Sequence, residues 1–146
     1  MDQQELRTVY EEIDKRSDEL MKAAEAFGDR HIVLSSSQVS GLLNTANCAD
    51  SLTTLLTVHI QKQAAKRTIN DQERVFWQGL RQEIEGLRKP AEEIGKVLAS
   101  VPATDKARRE RLSQIQLLLV RDYVQHLAAH EIYRKASQEG HHDNLA

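Results

Sequence analysis

The stretch that decides the fold is DKARRERLSQIQLLLVRDYVQHLAAHEIYRKAS, residues 105–137. It contains no glycine or proline, and strong helix formers fill most of its positions. Its middle, Leu117-Leu118-Leu119-Val120, is apolar around the full turn of a helix, so it is expected to run through the centre of a bundle. Thr104 or Asp105 is placed to cap its start. Upstream, Ser100-Val101-Pro102-Ala103-Thr104 is the clearest break in the chain.

Working outward, shorter helical patterns appear on the N-terminal side. Leu6, Val9, Tyr10, Ile13, Leu20 and Met21 recur at helical spacing, predicting a first helix from Asp2 to about Ala26, closed by Gly28 as a left-handed cap. His31 to Leu34 reads as a short apolar connector. Ser35, Ser36 and Ser37 offer N-caps for a second helix with the stripe Val39, Leu42, Leu43 and Ala46. Asp50 or Ser51 caps a third, whose inner face is Leu52, Leu55, Leu56, His59 and Gln63. Asn70, with Glu73 three residues on, starts a fourth along Phe76, Leu80, Ile84 and Leu87. Pro90 suits the first turn of a short fifth, over 90–99. The expected fold is all-α: a single-domain bundle of about five or six helices with a long C-terminal helix, the domain covering 1–140 and a flexible tail covering 141–146.

Composition narrows the function classes. With aromatics at 4%, the core is expected to rest on Leu, Ile, Val and Ala. The one cysteine, Cys48, excludes an internal disulfide and is expected as a small buried apolar residue. No apolar run has the length of a membrane span, and the acidic, polar start is unlike a signal peptide, so a cytoplasmic protein is expected. Phosphate loops, nucleophile elbows, CxxC pairs and clustered carboxylates do not occur, so no cofactor, metal or catalytic residue is expected.

The net charge of −2 is unevenly spread. Residues 1–26 hold eight acids and four bases, whereas 35–67 hold one acid and three bases and 105–140 five acids and seven bases. Lys106, Arg108, Arg109 and Arg111 sit at a helix start, where positive charge opposes the macrodipole and costs up to ~1 kcal/mol each. Stability alone favours acids there, so these cations point to an anionic partner such as a nucleic-acid backbone. Lys62, Lys66 and Arg67 end the third helix, where the dipole itself explains them. Arg74, Arg81 and Arg88 form a stripe that follows phosphates or pairs with nearby acids. The candidate nucleic-acid contacts are Lys62, Lys66, Arg67, Arg108, Arg109, Arg111 and, second in rank, Arg121; they require cations from separate helices to meet in one strip.

Two histidine patterns carry alternatives. Asp122, His126 and His130 lie one turn apart, as zinc ligands on a helix do, without an obvious third protein ligand of the usual type. Arg121-Asp122-Tyr123-Val124-Gln125-His126 has R-x4-H spacing and resembles the active-site motif of HEPN-type ribonucleases, which implies metal-independent RNA cleavage by Arg121 and His126.

Leu34-Ser35-Ser36-Ser37-Gln38-Val39-Ser40-Gly41-Leu42-Leu43-Asn44 and Gln63-Ala64-Ala65-Lys66 resemble segments of the small subunits of type III CRISPR effector complexes. Gln38, Ser40 and Gly41 depart from that pattern, which often has basic residues and an asparagine there. The resemblance implies a non-catalytic helical subunit that contacts guide RNA and target RNA, packs against other effector-complex subunits and self-associates head to tail. A helical protein–protein adaptor without RNA contact is the remaining reading.

Overall fold

The structure, a computed structural model, describes the backbone of residues 1–31 and 34–145 and side chains as far as residue 138. It is all-α, without a strand among the described residues. The helices are α1 (Gln3–Arg30), α2 (Ser36–Cys48), α3 (residues 52–65), α4 (Asp71–Gly86), α5 (Arg88–Val97) and α6 (Asp105–Leu145). The tail expected over 141–146 lies outside the described side chains.

Local chemistry sets the helix starts. Asp2 accepts from the Glu5 amide at 2.7 Å. Ser35 and Gln38 form a reciprocal capping box. Ser51 accepts from Thr54 at 3.1 Å, Asn70 from Glu73 at 2.8 Å, and Thr104 from Ala107 at 3.1 Å. Each satisfies an amide that the first turn leaves without a partner.

The long helix α6 is the axis. Ile115, Leu117, Leu119, Val120, Tyr123, Val124 and Leu127 are buried along it. α1 runs parallel to α6, with polar clasps at intervals: Glu5 to Arg111 at 3.7 Å, Ser17 to Asp122 at 3.1 Å, and Asp29 to Arg134 at 2.9 Å. α2 runs antiparallel to it, with Ser36 beside Lys135 and Ala46 beside Arg121. The Gln116 amide reaches across to the Ile84 carbonyl at 2.9 Å and so satisfies the end of α4 from inside the core.

Several local expectations change on folding. Gly28 does not cap α1. It lies inside the helix, buried, and no glycine among the described residues has a positive φ. A Cβ there would lie 3.2 Å from Leu127, His130 and Glu131, so its smallness lets α1 approach α6. Cys48 is exposed, its thiol 3.6 Å from Asn44. Tyr10 is also largely exposed. Three of the six aromatics nevertheless meet in the centre: Phe27, Phe76 and Trp77 are buried in a chain of ring contacts joining α1 to α4, with centroids 5.3 and 5.2 Å apart. In α3 the α-helical pattern is interrupted by a π-helical segment, Leu55–Ile60. The wider turn brings Ile60 into the core, while Leu56, His59 and Gln63 are only partly covered.

Candidate nucleic-acid interface

The seven cations proposed from sequence separate into three groups. Arg111 is internal. Its guanidinium donates to the Ser100 carbonyl at 2.9 Å, the Ser100 hydroxyl at 3.2 Å and the Gly95 carbonyl at 3.4 Å, and it faces Glu5. It pins the end of α5 and the 98–104 connector to α6. Arg121 is internal as well: Nε donates to Ala46 O and Nη2 to Ala49 O, both at 2.9 Å. It closes the C-terminus of α2, where helix carbonyls lack amide partners. Both guanidiniums are committed within the fold, which removes these two residues from the set of backbone contacts.

Arg108 and Arg109 are different. Both are exposed, and neither has an ion-pair or hydrogen-bond partner among the described residues. Nearby Lys106 is 4.0 Å from Glu110. Of the twelve arginines, nine meet a carboxylate or a backbone carbonyl; among the described residues Arg67, Arg108 and Arg109 do not. The stripe of Arg74, Arg81 and Arg88 is taken up locally by Asp71, Glu85 and Glu92 at 3.8, 3.1 and 3.2 Å.

Lys62, Lys66 and Arg67 are exposed and form the third group. Thr53, at the start of α3, lines the same cleft as Arg109. Lys66 and Arg67 lie at the far end of that helix, roughly 20 Å away at 1.5 Å per residue. The single strip that the seven-residue set requires therefore does not form: the Arg108–Arg109 pair and the α3 end are two separate basic spots, and any backbone contact rests on the Arg108–Arg109 pair by itself.

Around Arg108 and Arg109 the surface is shaped. One cleft of about 490 Å³ lies between α5, the connector and α6. Arg88, Lys96, Arg108, Arg109 and Arg111 line it with a single carboxylate, Glu92. A second, of about 320 Å³, lies on the other flank of α6, against the α2–α3 turn. Arg109 lines both. Lys96 and Arg88 were not legible as members of this group, because only the packing of α5 on α6 brings them beside Arg108. No known protein family, curated protein or solved structure matches the chain.

The histidines are structural in geometry. His126 Nε2 lies 2.9 Å from Ser17 Oγ and 3.2 Å from Asp122 Oδ2. A Ser–His–Asp relay needs the serine and the acid on opposite ring nitrogens; here both meet the same one, which makes a clasp between α1 and α6. His130 Nε2 is 2.7 Å from Asp29 Oδ1, and that hydrogen bond, followed by the one from Arg134, holds Asp29 below the usual carboxylate range. Among the described residues no three His, Cys, Asp or Glu side chains converge as metal ligands do. Arg121 faces α2 whereas His126 faces α1, so the R-x4-H pair does not converge within one copy. No helix among the described residues is long and apolar enough to cross a membrane.

Proposed function

We propose that this chain is a non-catalytic, cytoplasmic helical subunit that holds RNA by its backbone, as its resemblance to type III CRISPR small subunits implies, with guide and target RNA and neighbouring effector subunits as its partners. The observation that carries the reading is the adjacent pair Arg108–Arg109. Two exposed cations stand side by side where the helix dipole disfavours them, in a chain that ties down most of its other arginines. Lys96 extends the positive wall, Arg88 being paired with Glu92, and Lys62, Lys66 and Arg67 supply a second, separate point of contact.

The test is RNA binding by the full chain across a salt series. Replacing Arg108 and Arg109 by Ala should weaken binding and lower the slope of log affinity against log salt by about 1.4, as expected for two single-strand phosphate contacts. The melting temperature should not fall. Unchanged affinity and slope in the double variant would remove the reading. So would a chain that shifts no RNA at low salt but co-purifies with a protein, the outcome expected of an adaptor. Cleavage of labelled RNA in EDTA that disappears in His126→Ala would replace it with the ribonuclease reading.

A further inference from the structure

The two clefts flanking the start of α6 differ in chemistry, and the difference speaks to the form of the RNA. In the first, cations surround an apolar floor made by Val101, Pro102 and Leu112, and Val101 is 78% exposed. Its one carboxylate, Glu92, is already paired with Arg88 at 3.2 Å. A phosphodiester needs only the cations. The apolar floor gains a use when the ligand also brings an apolar face, and an unstacked nucleobase is such a face. A duplex keeps its base faces stacked inside and presents sugar and phosphate.

The second cleft also has apolar walls, Leu52 and Leu117, but it carries Asp50 and Glu110 beside Ser51, Thr53, Ser113 and Gln114. Two carboxylates repel phosphate. They also accept hydrogen bonds, which ribose 2′-hydroxyls and base amino groups donate. Asp50 and Glu110 repel the carboxylates of an acidic peptide as they repel phosphate, but RNA also brings 2′-hydroxyl and amino donors to them, whereas an ionised acidic side chain only accepts. Arg109 stands between them and lines both.

We propose that the start of α6 seats single-stranded RNA, the strand crossing the helix over Arg109 with a phosphate on its guanidinium and one nucleotide in the cleft on each side. This rests on the RNA-binding reading above and adds the strandedness of the ligand. No aromatic ring lines either cleft, so the bases rest on guanidinium planes and aliphatic side chains, and discrimination among bases is small.

The experiment is fluorescence anisotropy of the full chain with a labelled, unstructured oligouridylate and with a labelled RNA duplex of equal length at the same salt. The single strand should bind about tenfold more tightly. Val101→Ser, at an exposed position where folding is not at stake, should lower single-strand affinity about threefold without changing the salt slope or duplex binding. Arg109→Ala should weaken both ligands and reduce both slopes. Duplex binding as tight as single-strand binding, or a Val101→Ser variant indistinguishable from the parent, overturns single-strand seating while leaving RNA binding intact. Failure of both RNAs to bind overturns the underlying reading as well. Displacement of the oligouridylate by polyglutamate at equal charge concentration would assign the clefts to an acidic peptide instead.

Discussion

The first turns of α6 and the rest of that helix use the same residue type in opposite ways. From Arg111 onward its arginines are structural: Arg111 holds the 98–104 connector, Arg121 closes α2, and Arg134 meets Asp29 at 2.9 Å and Glu131 at 3.0 Å. Before Arg111, Arg108 and Arg109 stand in solvent with no partner among the described residues. One helix thus carries both the fasteners of the fold and the cations offered to a ligand. The distinction is set by what packs against each turn: α1, α2 and the α5 end supply acceptors to the later turns, while the first turns overhang two clefts.

The sharpest way to break this comparison is to remove a fastener. Arg121→Ala deletes two charge-assisted hydrogen bonds and leaves the Ala46 and Ala49 carbonyls to find water at a partly buried helix end. It should destabilise the fold by about 2–3 kcal/mol, read from urea unfolding, and leave the RNA affinity of the remaining folded protein unchanged. Arg111→Ala should cost less, about 1–2 kcal/mol, because its contacts lie nearer the surface. A loss of RNA affinity in Arg121→Ala with stability intact would reverse the assignment and return Arg121 to the binding set.

What the chain shows before folding follows from the range of the interactions involved. The caps at Ser35, Ser51, Asn70 and Thr104 were legible because a side chain three residues from its target needs no tertiary structure. The central course of α6 was legible from four apolar residues in a row. Gly28 was misread because a glycine near a helix end serves equally as a terminator or as a point of close approach, and Leu127 decides between them from about a hundred residues away. Arg111 and Arg121 were misread for the same reason. A committed and a free arginine look alike in sequence, and the carbonyl that separates them is brought by another helix.

A smaller effect tests whether the second basic spot is as detached from the fold as its exposure implies. His59, in the π turn, is held below the usual imidazole range by burial and then by the Lys66 charge; His31 is held down by burial and then by Arg30. Both imidazoles thus favour the neutral form in the folded state. Below the ordinary imidazole pKa of about 6.5 the unfolded chain takes up protons that the folded chain refuses, so stability is complete above that value and falls as the pH drops. The urea midpoint should decrease from about pH 7 to about pH 5. His59→Phe should make that decrease shallower by removing the titrating group, while a phenyl ring keeps an aromatic partner for Trp77, whose ring centroid lies 5.7 Å from that of His59. Lys66→Gln should do so more weakly, by removing one nearby charge. A pH dependence untouched by His59→Phe would place the titrating group elsewhere.

The smallest expected change in stability belongs to the residues on which the functional reading depends. Arg108→Ala and Arg109→Ala remove no hydrogen bond or ion pair within the described fold, and each lifts a positive charge from a helix start. Their melting temperatures should match the parent or exceed it by the equivalent of a few tenths of a kcal/mol, with the gain shrinking as salt screens the dipole. The sign carries the argument. A residue that strengthens the fold when deleted is not retained for the fold, whereas a fall of about 1 kcal/mol or more would mean that Arg108 or Arg109 also fastens α6 to its neighbours, and the division between the first turns of the helix and the rest would disappear.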